Sequence, residues 1–169
     1  MRYAAIDEFE VCNGIDVGVS LFVQGCPLKC KGCFNPETWD KMGGKEFTEK
    51  DMNAFINNID KPFIKRVSIL GGEPLSDYNI DTVWVIINKV RERYGNDKNI
   101  WLYTGYNMDE ILEDSKKYEM VKLVDYLVYG RFIEELKDGT LKFRGSKNQR
   151  ILDCKATVAN GYPIYAYER

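Results

Sequence analysis

Val19-Ser20-Leu21-Phe22-Val23-Gln24-Gly25-Cys26-Pro27-Leu28-Lys29-Cys30-Lys31-Gly32-Cys33-Phe34-Asn35-Pro36 is where the fold and the chemistry of this chain meet. Its first six residues, Val19–Gln24, are short, apolar and not strictly alternating, which is how a strand buried on both faces of a parallel sheet reads. A glycine- and proline-bearing loop with the spacing CxxxCxxC follows at once. Five cysteines occur, at 12, 26, 30, 33 and 154. An odd number with three crowded into one loop reads as metal ligation rather than a disulfide framework. No histidine occurs anywhere, which rules out Ser-His-Asp and Cys-His nucleophilic sites, mixed Cys/His zinc sites and HExxH metalloproteases.

Three thiolates on one tight loop suit three irons of a 4Fe–4S cube. The fourth iron is then open to a ligand, as one position is at catalytic metal sites generally. A structural zinc site completed by Cys12 or Cys154 is the alternative, although neither belongs to a CxxC-like pair; a ferredoxin-like module is another. Otherwise Cys12 and Cys154 read as small buried or half-buried thiols. Lys29 and Lys31 read as water-facing.

Outward from this loop, Val67–Leu70 (led in by Ile64-Lys65-Arg66), Ile100–Thr104, Tyr126–Tyr129 and, more weakly, Ile164–Tyr167 read as further strands. Thr48 and Asp51 predict a capping box opening a helix to about Ile59. Ile80, Val83, Trp84, Ile87, Val90 and Tyr94 form one face of a second helix, closed by Gly95-Asn96. Asn107 would cap a third, from Met108 to about Lys117. Strand, loop and helix in repetition predict right-handed βα units in a mostly parallel sheet. With 169 residues against roughly 250 for a complete eight-unit barrel, the expected fold is α/β, an incomplete TIM-like βα barrel forming one domain over residues 1–169. Gly71-Gly72-Glu73-Pro74 and Gly105-Tyr106-Asn107 also follow strands, and ligands gather at that edge of parallel sheets. The two glycines permit close backbone approach, and Glu73 offers an acceptor for an ammonium group. A plain strand-ending turn would look the same.

Composition narrows the partners. With 24 basic and 26 acidic residues the net charge is −2, which provides no footprint for nucleic acid. No apolar run approaches the roughly 20 residues of a membrane span. The N-terminus lacks a basic-then-apolar leader, so the expected location is cytoplasmic.

CxxxCxxC after one strand and Gly-Gly-Glu after the next resemble the radical S-adenosylmethionine superfamily. Asn13-Gly14, Ser20–Pro27, Cys33-Phe34-Asn35-Pro36-Glu37-Thr38-Trp39, Trp101-Leu102-Tyr103-Thr104-Gly105-Tyr106 and Arg144-Gly145-Ser146-Lys147-Asn148-Gln149-Arg150 are similar to one family within it. That family is the activating enzymes of anaerobic (class III) ribonucleotide reductase. Two features depart from the pattern. Gly32 stands where many superfamily members have an aromatic residue, and Asn13-Gly14-Ile15-Asp16-Val17-Gly18 stands where the family often has Gly-Pro-Gly.

The resemblance implies a partial barrel of the radical S-adenosylmethionine type and a 4Fe–4S cluster on Cys26, Cys30 and Cys33. It implies S-adenosylmethionine held near Gly32, Cys33, Phe34, Gly71, Gly72 and Glu73, with Thr104 and Tyr106 as further contacts. It also implies reductive cleavage to methionine and a 5′-deoxyadenosyl radical, which takes hydrogen from a glycine Cα on the large subunit of the anaerobic reductase. A flavodoxin- or ferredoxin-type protein would donate the electron. No general acid or base is needed, in keeping with the missing histidine. Arg144, Lys147 and Arg150 would dock the reductase or simply be solvated. Activation of pyruvate formate-lyase, or a small-molecule reaction of the deazaguanine-forming kind, are the alternatives within the superfamily.

Overall fold

The computed structural model describes residues 1–168. In chain order its elements are β1 (Arg2–Glu10), β2 (Gly18–Val23), β3 (Lys45–Glu46), α1 (Glu49–Ile59), β4 (Arg66–Gly71), α2 (Ile80–Tyr94), β5 (Asn99–Thr104), α3 (Met108–Leu112), α4 (Ser115–Val121), β6 (Tyr126–Tyr129), β7 (Arg150–Asp153) and α5 (Cys154–Asn160). The described strands form one open sheet in the order β3-β1-β2-β4-β5-β6-β7. The parallel strands β2, β4, β5 and β6 are its centre. The edge strands β1, β3 and β7 join antiparallel. The α/β reading and the parallel centre therefore hold.

Register explains the two faces. Leu21 lies beside Ile69, Ile69 beside Leu102, and Leu102 beside Leu127. This row packs under Phe55 and Ile59 of α1 and Val83, Ile87 and Val90 of α2 in the main core. Each such side chain contributes about 1.5–3 kcal/mol by leaving water. The alternate residues point to the opposite face. There Trp101, Val128 and Ile151 pack with Phe143 and Tyr167, while Phe22, Leu70 and Tyr103 line a cavity.

Three expectations need correction. Ile164–Tyr167 is not a strand: it meets β7 through one bridge, Tyr165 to Leu152. Pro163 before it has no N–H to donate, and Tyr167 turns to a φ of 53°, which ends an extended run. The third helix is two, because the Asp114 carboxylate accepts from the Lys116 and Lys117 amides and caps α4 afresh. Cys12 is exposed, whereas Cys154 is buried as expected. β1, β3, β7 and α5 were not legible; β1 is largely half-exposed along its length, so it carries little apolar signal.

A buried ion pair ties the segment after β1 to the sheet. The fully buried Arg66 donates to Glu10 Oε1 at 2.6 Å, to the carbonyls of Asn13 (3.0 Å) and Ile15 (3.1 Å), and to Ser68 Oγ at 2.5 Å. Gly14 fits because a Cβ there would stand 2.5 Å from Arg66 Cδ. Glu10→Ala would strand the guanidinium in the interior. The expected loss is about 3–5 kcal/mol, read as a lowered urea midpoint, and an unchanged midpoint would show that the pair does not hold this segment.

Candidate active site

The four parallel strands end on the same edge, and each delivers a loop there. β2 leads into the cysteine loop, β4 into Gly72-Glu73, β5 into Gly105 and β6 into Gly130. Below that edge lies a cavity of about 570 Å³, within the usual range for small-molecule sites. Cys26, Cys30, Cys33, Phe34, Gly71, Gly72, Glu73 and Thr104 all line it. Gly32 and Tyr106 are not among its walls. Gly32 (φ 72°) faces outward, where a Cβ would meet Glu134 Oε1 at 2.7 Å. The Tyr106 ring lies under the Lys117 and Arg131 cations.

The cysteine loop is wound tightly. Lys29 takes a φ of 46°, and Cys33 N donates to the Cys30 carbonyl at 3.1 Å. Asn35 N points at Cys33 Sγ at 3.4 Å, and hydrogen bonds of this kind tune a cluster's potential. Burial pushes the Cys26 thiol up from its usual range; the Leu28 and Lys29 amides oppose this, and the charges of Glu73 and Cys30 add to it. Among the described residues, no three His, Cys, Asp or Glu side chains converge as a single metal ion requires.

Backbone bonds clamp this loop to the next. Glu73 N donates to the Gly25 carbonyl at 2.9 Å, and Gly72 N to the Val23 carbonyl at 2.8 Å. Asn79 Nδ2 joins the Gln24 and Glu73 carbonyls at 3.0 Å each. Gln24 Nε2 fixes the following turn through the Glu37 and Asp40 carbonyls at 2.8 Å each. Sequence reasoning missed Gln24 and Asn79. Only their places at a strand end and before a helix hinted at a role, and the Asn79 side chain makes no capping bond.

Glu73 is buried and accepts from Thr104 Oγ1 (2.7 Å), Leu75 N (2.9 Å) and Gly105 N (2.7 Å). Thr104 is thus engaged within the site wall. Burial raises the Glu73 carboxyl from 4.5 to about 7, with those donors only partly offsetting it. No salt bridge pairs it among the described residues. Its folded value lies above its unfolded one, so its stabilising contribution is complete below about pH 4.5 and is lost as pH rises through 7. In the ligand-free chain, the stability difference between wild type and Glu73→Gln should therefore shift by about 3 kcal/mol from pH 4.5 to 8. Parallel pH profiles of the two urea midpoints would refute it.

The segment between β6 and β7 forms the remaining wall. Phe132 packs on Phe34 with ring centroids 5.0 Å apart, and Lys31 pairs with Glu134 at 3.1 Å. Lys31 is therefore paired as well as solvated. Arg131 donates to the Gly105 carbonyl at 3.0 Å and pairs with Glu110. The three basic residues of the tail are held internally: Arg144 bonds the Tyr167 carbonyl at 2.6 Å, Lys147 lies 3.7 Å from Asp138, and Arg150 covers the Tyr165 ring. Cys154 sits at the opposite edge of the sheet, since Asp153 pairs with Tyr126 at the start of β6. Burial pushes its thiol up strongly.

Comparison with known proteins identifies the family. The family described as 4Fe-4S single cluster domain matches residues 12–152. The chain is 35% identical over 151 residues to the anaerobic ribonucleoside-triphosphate reductase-activating protein of Escherichia coli K12, covering 88% of this chain and 96% of that one. It is 37% identical to the protein of the same name from Haemophilus influenzae (89% and 97% covered). The corresponding phage T4 protein is 36% identical (89% and 93%). The chain belongs to the family of anaerobic ribonucleoside-triphosphate reductase-activating proteins, built on a 4Fe-4S single cluster domain.

Proposed function

We propose that this chain activates an anaerobic ribonucleotide reductase by generating a glycyl radical on its large subunit. One observation carries the reading: three thiols and an unpaired buried carboxylate share one cavity at the carboxyl edge of a parallel sheet. Cys26, Cys30 and Cys33 would hold the 4Fe–4S cluster, since thiolates are its usual ligands. A buried carboxylate calls for a cationic partner, and the ammonium of S-adenosylmethionine is one. When bound, the cluster and S-adenosylmethionine supply one-electron cleavage and a carbon-centred radical able to abstract hydrogen.

The chain's own residues position and shield. Glu73 would receive the ammonium, and the Glu73–Gly25 and Gly72–Val23 backbone bonds set the spacing between the cysteine loop and the Gly72-Glu73 turn. Phe34 and Phe132 pack together as an apolar wall on one side of the cavity. Thr104 acts through Glu73. Gly32 shapes the cysteine loop, and Tyr106 supports the wall through Arg131. We read the chain as a single radical S-adenosylmethionine domain, its open sheet an incomplete TIM-like barrel whose missing strands admit a protein segment. A flavodoxin- or ferredoxin-type donor and a reducing, cytoplasmic setting suit its free thiols.

The test is anaerobic reconstitution followed by mixing with the reductase, S-adenosylmethionine and a reductant. A glycyl radical on the reductase by electron paramagnetic resonance is the expected result. A radical on pyruvate formate-lyase and none on the reductase would overturn the assignment of substrate. A colourless protein carrying one zinc would end the radical reading altogether.

A further inference from the structure

The cavity extends beyond the residues that the cofactor reading uses. Away from the cysteine loop its walls include Asn13, Phe22, Leu70, Tyr103, Val128 and Phe143. This floor is apolar apart from a few neutral groups. Arg66 beneath it is saturated by Glu10 and backbone carbonyls, while Lys137, Asp138 and Arg144 complete the cavity wall beyond Phe143. Arg144 Nε and Trp39 Nε1 are unpartnered in other parts of the cavity wall, and two polar groups belong to the floor itself. The Tyr103 hydroxyl is buried and makes no hydrogen bond among the described residues. Asn13 donates through Nδ2 to Ser20 Oγ at 3.1 Å, which turns its Oδ1 into an acceptor with no donor among the bonds of the described residues.

An unpaired buried hydroxyl costs about 1–3 kcal/mol. A fold keeps such a group where something else completes it. One donor and one acceptor on a largely apolar floor match the carbonyl and N–H that a single residue of an extended segment turns to the same side. We propose that Tyr103 and Asn13 form a subsite for the backbone carbonyl and N–H of one residue in the protein segment that carries the target glycine. The inference rests on the reading that the substrate is a protein glycine. It places that segment against the floor, away from the cysteine loop. Tyr103 is a binding residue here, donating from its hydroxyl to a peptide carbonyl.

Tyr103→Phe tests this with little change in shape. Because the hydroxyl has no partner in the fold, the variant's unfolding midpoint should equal or exceed that of wild type; a clear drop would overturn the proposal by revealing an internal partner. In the reconstituted protein, reductase-free cleavage of S-adenosylmethionine should stay within twofold. Binding of the anaerobic reductase, measured by calorimetry without turnover, should weaken roughly 3- to 10-fold, as loss of one neutral hydrogen bond implies. KM for the reductase in glycyl radical formation should rise in parallel. Weakened S-adenosylmethionine binding with unchanged reductase affinity would assign the hydroxyl to the cofactor and overturn the proposal, as would no change in either. Failure of the wild-type protein to make a glycyl radical on the reductase would instead defeat the functional reading, whatever Tyr103 does.

Discussion

Cys30→Ala should abolish reductive cleavage of S-adenosylmethionine, with 5′-deoxyadenosine falling at least 10³-fold and reconstituted iron dropping well below about four per chain. The reason is the ligand count. A loop with three thiols holds three irons, and removing one leaves two, too few for the cube to persist. The control is Cys154→Ala. Cys154 lies in the core at the far edge of the sheet, so its loss should cost stability on the order of 1 kcal/mol without lowering iron content. Cys12 gives the sharper comparison, because it is exposed and lines the same cavity. Cys12→Ala should retain both cluster and cleavage. If it loses iron as Cys30→Ala does, Cys12 is a fourth ligand and no iron is left open for S-adenosylmethionine.

Gly72→Ala should be nearly as severe, for a steric reason. A Cβ at Gly72 would stand 2.5 Å from the Gly25 carbonyl oxygen and 3.0 Å from that of Val23. Both oxygens already accept backbone amides of this turn, so neither strand end can yield without breaking those bonds. The Gly72-Glu73 turn must move away from the cysteine loop and take Glu73 with it. A misplacement of about 1 Å costs roughly 10²-fold in rate, and overpacking costs about 1–3 kcal/mol in stability. Cleavage should therefore fall roughly 100-fold in a protein that still folds and still loads its cluster. A folded, cluster-loaded Gly72→Ala that cleaves S-adenosylmethionine at the wild-type rate would show that this spacing is not what the two glycines protect.

The short central strands and the long amphipathic helix were legible because each is a local pattern. Val67–Leu70 and Tyr126–Tyr129 are apolar runs, and the Ile80 to Tyr94 stripe repeats with helical period. The capping box at Thr48 and Asp51 formed as read. Asp114 defeated the third helix because a side chain that bonds its own backbone competes with helix continuation. The edge strands escaped because their stability comes from neighbours rather than from their own apolar content.

By itself the sequence determined the parallel centre of the sheet, the strand ends that carry loops, and the cysteine loop with its glycine-rich counterpart. All of these depend on residues within one or two turns of one another. Only the tertiary structure decided that Glu73 is locked by Thr104 and Gly105, that Arg66 holds the segment bearing Asn13, and that Tyr103 ends in a cavity without a partner. Those relations join residues some 30 to 55 positions apart. They exist only once strand order and register have chosen which side chains share a face, and no local periodicity encodes that choice.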